Sequence, residues 1–222
     1  MIRKIITTTI LCLAVIAGSQ AQDKTFKQEF SIGGSFGMTF SKVSFTSISS
    51  KVKTNMKQGY SGGITFRWIS EKNLGLLGEL NFAQYGWDEQ FEDTQYKYAR
   101  TLNYVELPIL THVYFGSKRF RVFVNLGPKI GYLIGENSDK MLGEESSETA
   151  PQHDMAVQKR FDWGLCGGPG FELRTGIGTF QLEGRYYYAL GDIFNSRRED
   201  YFSKSSNQVM SAKITYLLPL FK

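Results

Sequence analysis

The sequence predicts an all-β protein: an eight-stranded antiparallel up-and-down transmembrane β-barrel, preceded by a cleaved signal peptide. Three observations predict it. After residue 21 the chain alternates apolar and polar residues in eight successive segments, the period of strands that show different faces to different surroundings. The connections between those segments alternate short and long, and the first 21 residues read as an export signal. Composition agrees. A mean hydropathy of −0.26 excludes a polytopic helical membrane protein. Seventeen Phe and 12 Tyr exclude disorder.

The leader comes first. Arg3 and Lys4 precede an apolar run from Ile10 to Gly18, and Ser19-Gln20-Ala21 places small residues where a signal peptidase reads them. Cleavage after Ala21 is expected, giving 1–21 as signal peptide and 22–222 as the barrel domain. A membrane anchor would need about 20 apolar residues; this run has nine. Cys12 lies inside the run, away from the cleavage point, which argues against a lipoprotein. Cleavage removes Arg3 and Lys4 and lowers the net charge from +5 to +3. So mild and dispersed a charge argues for no nucleic-acid partner. Cys166 is then the only cysteine, so no internal disulfide is expected.

The eight strands follow in order. Phe30, Ile32, Phe36, Met38 and Phe40 oppose Glu29, Ser31, Thr39 and Ser41. Tyr60, Ile64, Phe66 and Trp68 oppose Ser61, Thr65 and Arg67. Leu74, Leu76, Leu80 and Phe82 oppose Glu79 and Asn81, with Leu77 out of phase. Val105, Leu107, Ile109, Val113 and Phe115 oppose Tyr104, Glu106, Pro108, Leu110 and His112. Phe120, Val122, Val124, Leu126, Ile130 and Tyr132 oppose Arg121, Asn125 and Lys129, with Phe123 out of phase. Phe161, Trp163, Leu165, Phe171 and Leu173 oppose Arg160, Asp162, Glu172 and Arg174. Phe180, Leu182, Tyr186 and Tyr188 oppose Gln181, Glu183 and Arg185. Met210, Ala212, Ile214, Tyr216, Leu218 and Leu220 oppose Ser211, Lys213 and Thr215. Each is long enough to cross a bilayer as a tilted strand of about 9–11 residues.

Strands two and three join through Ser70–Asn73, four and five through Gly116–Arg119, six and seven through Thr175–Gly178. The other connections are long: Ser41–Gln58, Tyr85–Arg100, Leu133–Lys159 and Gly191–Ser206. Short periplasmic turns and long extracellular loops are the plan of an outer-membrane barrel. A soluble secreted ligand-binding barrel would turn its apolar face inward. Here the polar face carries Glu29, Glu79, Glu106, Asp162, Glu172 and Glu183 with Arg67, Arg121, Lys129, Arg160, Arg174, Arg185 and Lys213, six acids against seven bases. Those can pair inside a closed barrel. Aromatics near the ends of the apolar face (Tyr60, Trp68, Tyr132, Trp163, Tyr188, Tyr216) suit interfacial girdles. The apolar face is therefore assigned to lipid. Pro108, Pro128 and Pro169 fall inside strands. Each lacks a ladder donor, so bulges or broken pairing are expected there.

Four segments carry a family resemblance. Tyr104-Val105-Glu106-Leu107-Pro108-Ile109-Leu110 resembles the Y-x-E-[IL]-P-x-L strand of the PorT-like outer-membrane barrel proteins. Gly127-Pro128-Lys129-Ile130-Gly131-Tyr132 is similar to that family's G-P-x-x-G-Y strand. Gly168–Glu172 and Leu182–Tyr188 fit its sixth and seventh strands. The resemblance implies a small bacterial outer-membrane barrel, with a founding member that serves protein secretion. Two features depart from it: the N-terminal segment of the dedicated secretion component is missing, and Phe221 is followed by Lys222 instead of ending the chain. Phe221 also falls on the inward phase unless Pro219 shifts the register.

An eight-stranded barrel is just wide enough to be filled by side chains. The interior cluster Glu79, Glu106, Arg121, Lys129, Asp162, Glu172, Arg174, Glu183 and Arg185 is therefore expected to be structural, paired and closed. No catalytic, metal or cofactor site is expected. Of the two histidines after the leader, His112 faces inward near the periplasmic end, and His153 sits in a polar loop near Ser146, Ser147 and Glu148 with nothing to orient it. The first long loop is basic (Lys51, Lys53, Lys57) and the third acidic (Glu144, Glu145, Glu148). The basic loop suits the phosphates of lipopolysaccharide. The acidic one suits divalent cations or a basic partner; pairing between the loops is the plainer expectation. The leading expectation is a non-enzymatic envelope protein with a structural or interaction role, accessory to protein secretion if the family role carries over. Its partners would be outer-membrane lipids, lipopolysaccharide included, and an envelope or secretion protein. The alternatives are an outer-leaflet lipid hydrolase, a narrow channel and the soluble barrel.

Overall fold

The computed structural model describes residues 26–47, 54–90, 97–141, 156–194 and 202–221. The expected signal peptide, Lys51, Lys53, His153 and the acidic loop Glu144, Glu145 and Glu148 lie outside them. Among the described residues there are eight strands: β1 (Glu29–Ser47), β2 (Thr54–Glu71), β3 (Leu74–Gln90), β4 (Lys97–Gly116), β5 (Phe120–Met141), β6 (Phe161–Arg174), β7 (Thr179–Ala189) and β8 (Phe202–Phe221). Each pairs antiparallel with its neighbours in sequence, and β1 also pairs with β8, closing the barrel. Closure leaves no sheet edge unpaired, the condition for crossing hydrocarbon with strands.

The faces divide as the alternation predicts. Phe36, Phe66, Ile109, Val124, Leu165, Leu182 and Ile214 stand outward and exposed, while Arg67, Glu79, Glu106, Lys129, Glu172 and Glu183 are buried inside. The two out-of-phase residues keep strand geometry and simply point inward: Leu77 and Phe123 are each 1% exposed. Phe123 packs with Ile69 and Tyr114, and its ring occupies the space a side chain at Gly170 would need. A glycine there is what admits an aromatic to a crowded interior.

The short turns are tight. Lys72 and Asn73 alone separate β2 from β3, and Asn73 has φ 69°, a left-handed conformation that Asn tolerates. Gly116 closes β4 at φ 132°, and a side chain on it would stand 2.6 Å from the Phe120 carbonyl oxygen. At the other end the strands run beyond the expected loop boundaries. β1 pairs with β8 as far as Ser47↔Phe202, and β4 with β5 as far as Lys97↔Met141. Above the hydrocarbon the outward face no longer needs to be apolar, so the alternation fades while the ladder continues.

At each of the three prolines the ladder breaks on one side and keeps its register. Pro108 pairs with Lys129, but the β3–β4 ladder skips from Gly78↔Ile109 to Asn81↔Glu106. Pro128 pairs with Leu165, and the gap lies toward β4; Pro169 pairs with Val124, and the gap lies toward β7. One missing N–H removes one bond to one neighbour. The expected broken pairing is present, and the register shifts fall elsewhere. One of them, between Phe30 and Ser31, lies beside Pro219 and pairs Phe221 with outward-facing Phe30.

Candidate functional site in the barrel interior

The short turns mark the periplasmic end, and the interior fills in layers from there. In the first layer, Arg67 on β2 donates to Glu172 on β6 and, at 3.0 Å, to Glu29 on β1. Arg174 reaches the other oxygen of Glu29 at 2.5 Å. Arg121 lies 3.5 Å from Glu172 and 4.3 Å above the Tyr114 ring. Gln181 donates to Glu172 at 2.9 Å. His112 is fully buried beside them, with Nδ1 2.7 Å from Asn125 Oδ1. The Tyr114 and Phe123 rings pack beside it.

The second layer centres on Glu79. Arg185 clasps it with two bonds of 2.8 and 2.9 Å, and Lys213 donates to it as well. The same guanidinium donates to Glu183 at 2.9 and 2.8 Å, and Asn81 adds a bond to Glu79 at 2.8 Å. A planar fork bridging two carboxylates needs arginine geometry. In the third layer, Lys129 donates to Glu106 and to the Tyr85 hydroxyl at 2.6 Å each, and Tyr85 donates to Glu106. The ammonium sits 3.3 Å from the Tyr187 ring centroid. Asp162 lies higher, accepting from Asn207 at 3.0 Å.

The nine expected interior residues thus all lie inside, and the structure sorts them into these groups. Arg160 is the correction. β6 begins at Phe161, so Arg160 belongs to the preceding connection; its side chain is exposed and its carbonyl accepts from the Leu133 N–H at 2.8 Å. Without it, the charges expected inside from the sequence number six acids and six bases. Lys57 of the basic loop stands at the outer rim, 3.7 Å from Asp88.

The outer mouth is closed differently, by a feature outside the sequence reading. Trp87, Tyr98, Leu102, Val157, Ile193 and Phe194 are buried in one apolar cluster. Beyond β7 the chain turns inward at Ile193 and Phe194: Ile193 N–H donates to the Ser205 carbonyl at 2.9 Å, and Phe194 N–H to Ser205 Oγ at 3.0 Å. Arg100 caps the cluster, 2.7 Å from Glu136 and facing the Trp87 and Phe194 rings. The signal was available. The inward phase of β3 continues through Ala83 and Tyr85 to Trp87, and that of β4 back from Tyr104 through Leu102 to Tyr98. Between the second and third layers lies a cavity of about 30 Å³, lined by residues of every strand, among them Thr39, Ser61, Lys129, Cys166, Arg185 and Lys213. That is room for about one or two waters. Among the described residues no group of His, Cys, Asp and Glu could hold a metal.

A closed antiparallel barrel with an apolar exterior and an ion-paired interior defines an outer-membrane β-barrel protein. The chain belongs to the family described as outer membrane protein beta-barrel domain, which matches residues 20–195, and its location is the bacterial outer membrane. Comparison with curated proteins finds no significant match. Among solved structures, outer membrane protein OprG from Pseudomonas aeruginosa is similar at 16% identity and TM-score 0.56, over 87% of this chain and 96% of that one. The Yersinia pestis attachment invasion locus protein Ail, crystallised with a heparin analogue, aligns at 13% identity and TM-score 0.42, over 86% and 99%. Outer Membrane Protein W of E. coli aligns at 14% identity and TM-score 0.36, over 83% and 98%.

Proposed function

We propose that this chain is a non-enzymatic barrel of the envelope. It acts through what its extracellular loops and rims bind, and neither passes solute nor turns over lipid. The observation that carries this is the charged interior: three ion-paired layers under an apolar mouth, with a cavity of about 30 Å³ between the second and third. A narrow channel would need several of these pairs to part together, each separation leaving charges buried alone. The PorT-like motifs support a finer reading, that of an accessory to protein secretion. On this reading the basic loop (Lys51, Lys53, Lys57) meets lipopolysaccharide and the acidic loop (Glu144, Glu145, Glu148) meets cations or a basic partner.

Extraction from native outer membranes in mild detergent, followed by mass spectrometry of what stays bound, tests the accessory role. A stoichiometric envelope or secretion protein is the expected result; a bare barrel carrying only lipid would contradict it. The hydrolase alternative is tested by His153→Ala. Unchanged outer-membrane lipid profiles are expected.

A further inference from the structure

The periplasmic rim carries an arc of cations. Lys27 precedes β1, Lys72 sits in the β2–β3 turn, and Lys118 and Arg119 sit in the β4–β5 turn; all four are exposed. None forms an ion pair among the described residues. Glu71 is the one acid in the three short turns and their flanking residues, and it is half-buried. Glu29 and Glu172, on the strands at this end, are held inside by Arg67 and Arg174. The third turn, Thr175–Gly178, is uncharged, and Ile177 at its tip is 72% exposed. The arc therefore spans β1 to β5 and stops.

Turn length fixes its height. Arg119 directly precedes outward-facing Phe120, Lys118 follows Phe115 by three residues, and Lys72 follows Trp68 by four. At about 3.3 Å per residue along a tilted strand, the cations lie within roughly 10 Å of this aromatic girdle. That is the headgroup layer beside the hydrocarbon. Turns this short hold the charges against the membrane surface.

We propose that this arc binds the phosphate groups of anionic phospholipid, of the phosphatidylglycerol type, in the periplasmic leaflet. The cations are spread around a rim at one height, as a ring of separate headgroups is. Each Lys or Arg near an anionic surface contributes about a fivefold preference at most.

The test uses the folded full chain in nanodiscs of equal phosphatidylglycerol and phosphatidylcholine, with retained lipids counted by native mass spectrometry. Phosphatidylglycerol should exceed phosphatidylcholine about threefold, and high salt should narrow the ratio. The variant Lys72→Gln/Lys118→Gln/Arg119→Gln should bring it near parity. Ile177→Gln, on the uncharged third turn, should leave it unchanged. If the triple variant fails to fold, Lys72→Gln and Arg119→Gln, on separate turns, read the same ratio singly. Equal retention by the native chain, or a preference that survives the neutral variants, overturns the proposal. So does displacement of the lipid by inorganic phosphate, which would make this an ion site.

Discussion

Among the described residues, the middle of the barrel and its outer mouth are packed by opposite chemistry. In the middle, Glu79 is shared by Arg185 and Lys213, and Arg185 is shared in turn by Glu79 and Glu183. Removing Glu79 leaves Lys213 buried without its carboxylate, and Arg185 with one of its two. At the mouth, Trp87, Ile193 and Phe194 pack in apolar contact, and the pair Arg100–Glu136 covers them. Part of that closure comes from residues 190–194, a connection and not a strand. The middle layer should therefore govern global stability, and the mouth should open on its own.

The largest effect should come from Glu79→Leu, which leaves buried Lys213 without its carboxylate and Arg185 with Glu183 alone. It should lower stability by about 3–5 kcal/mol, read from the urea midpoint of the barrel in lipid vesicles. Phe194→Ala should cost far less globally than the roughly 3–5 kcal/mol of an enclosed core site. Its effect should appear as faster hydrogen exchange at the Ile193 and Phe194 amides, with the β3 and β7 amides unchanged. An equal loss of protection everywhere would erase the distinction between mouth and middle. In the third layer, Lys129→Leu alone should destabilise by several-fold more than Glu106→Leu/Lys129→Leu, which removes both charges and should stay within about 1 kcal/mol of the native chain. The smallest effect belongs to Lys57→Gln. Its partner Asp88 is 45% exposed, and the midpoint should move by less than about 0.5 kcal/mol.

The same contrast explains what the sequence could reveal. Strand count, facing and the polar interior were legible because lipid imposes an apolar residue at every second position from Phe30 to Phe40 or from Phe120 to Tyr132. The pairing was not. Arg67 and Glu172 stand 105 residues apart and meet only through the stagger of a closed sheet, which alternation does not encode. Arg160 shares parity with Asp162, but parity says nothing about where a strand begins. The mouth is illegible in the alternation because it lies beyond the hydrocarbon. Trp87 and Tyr98 keep the inward phase, but their outward neighbours are no longer apolar, so the segments read as loops.

The central claim, a lumen sealed at rest, is most directly tested by electrical recording of the purified chain in planar bilayers. Native protein should show no steady conductance above the lipid background, and Phe194→Ala should show none either, because the three charged layers remain. A steady conductance from the native chain would contradict the account.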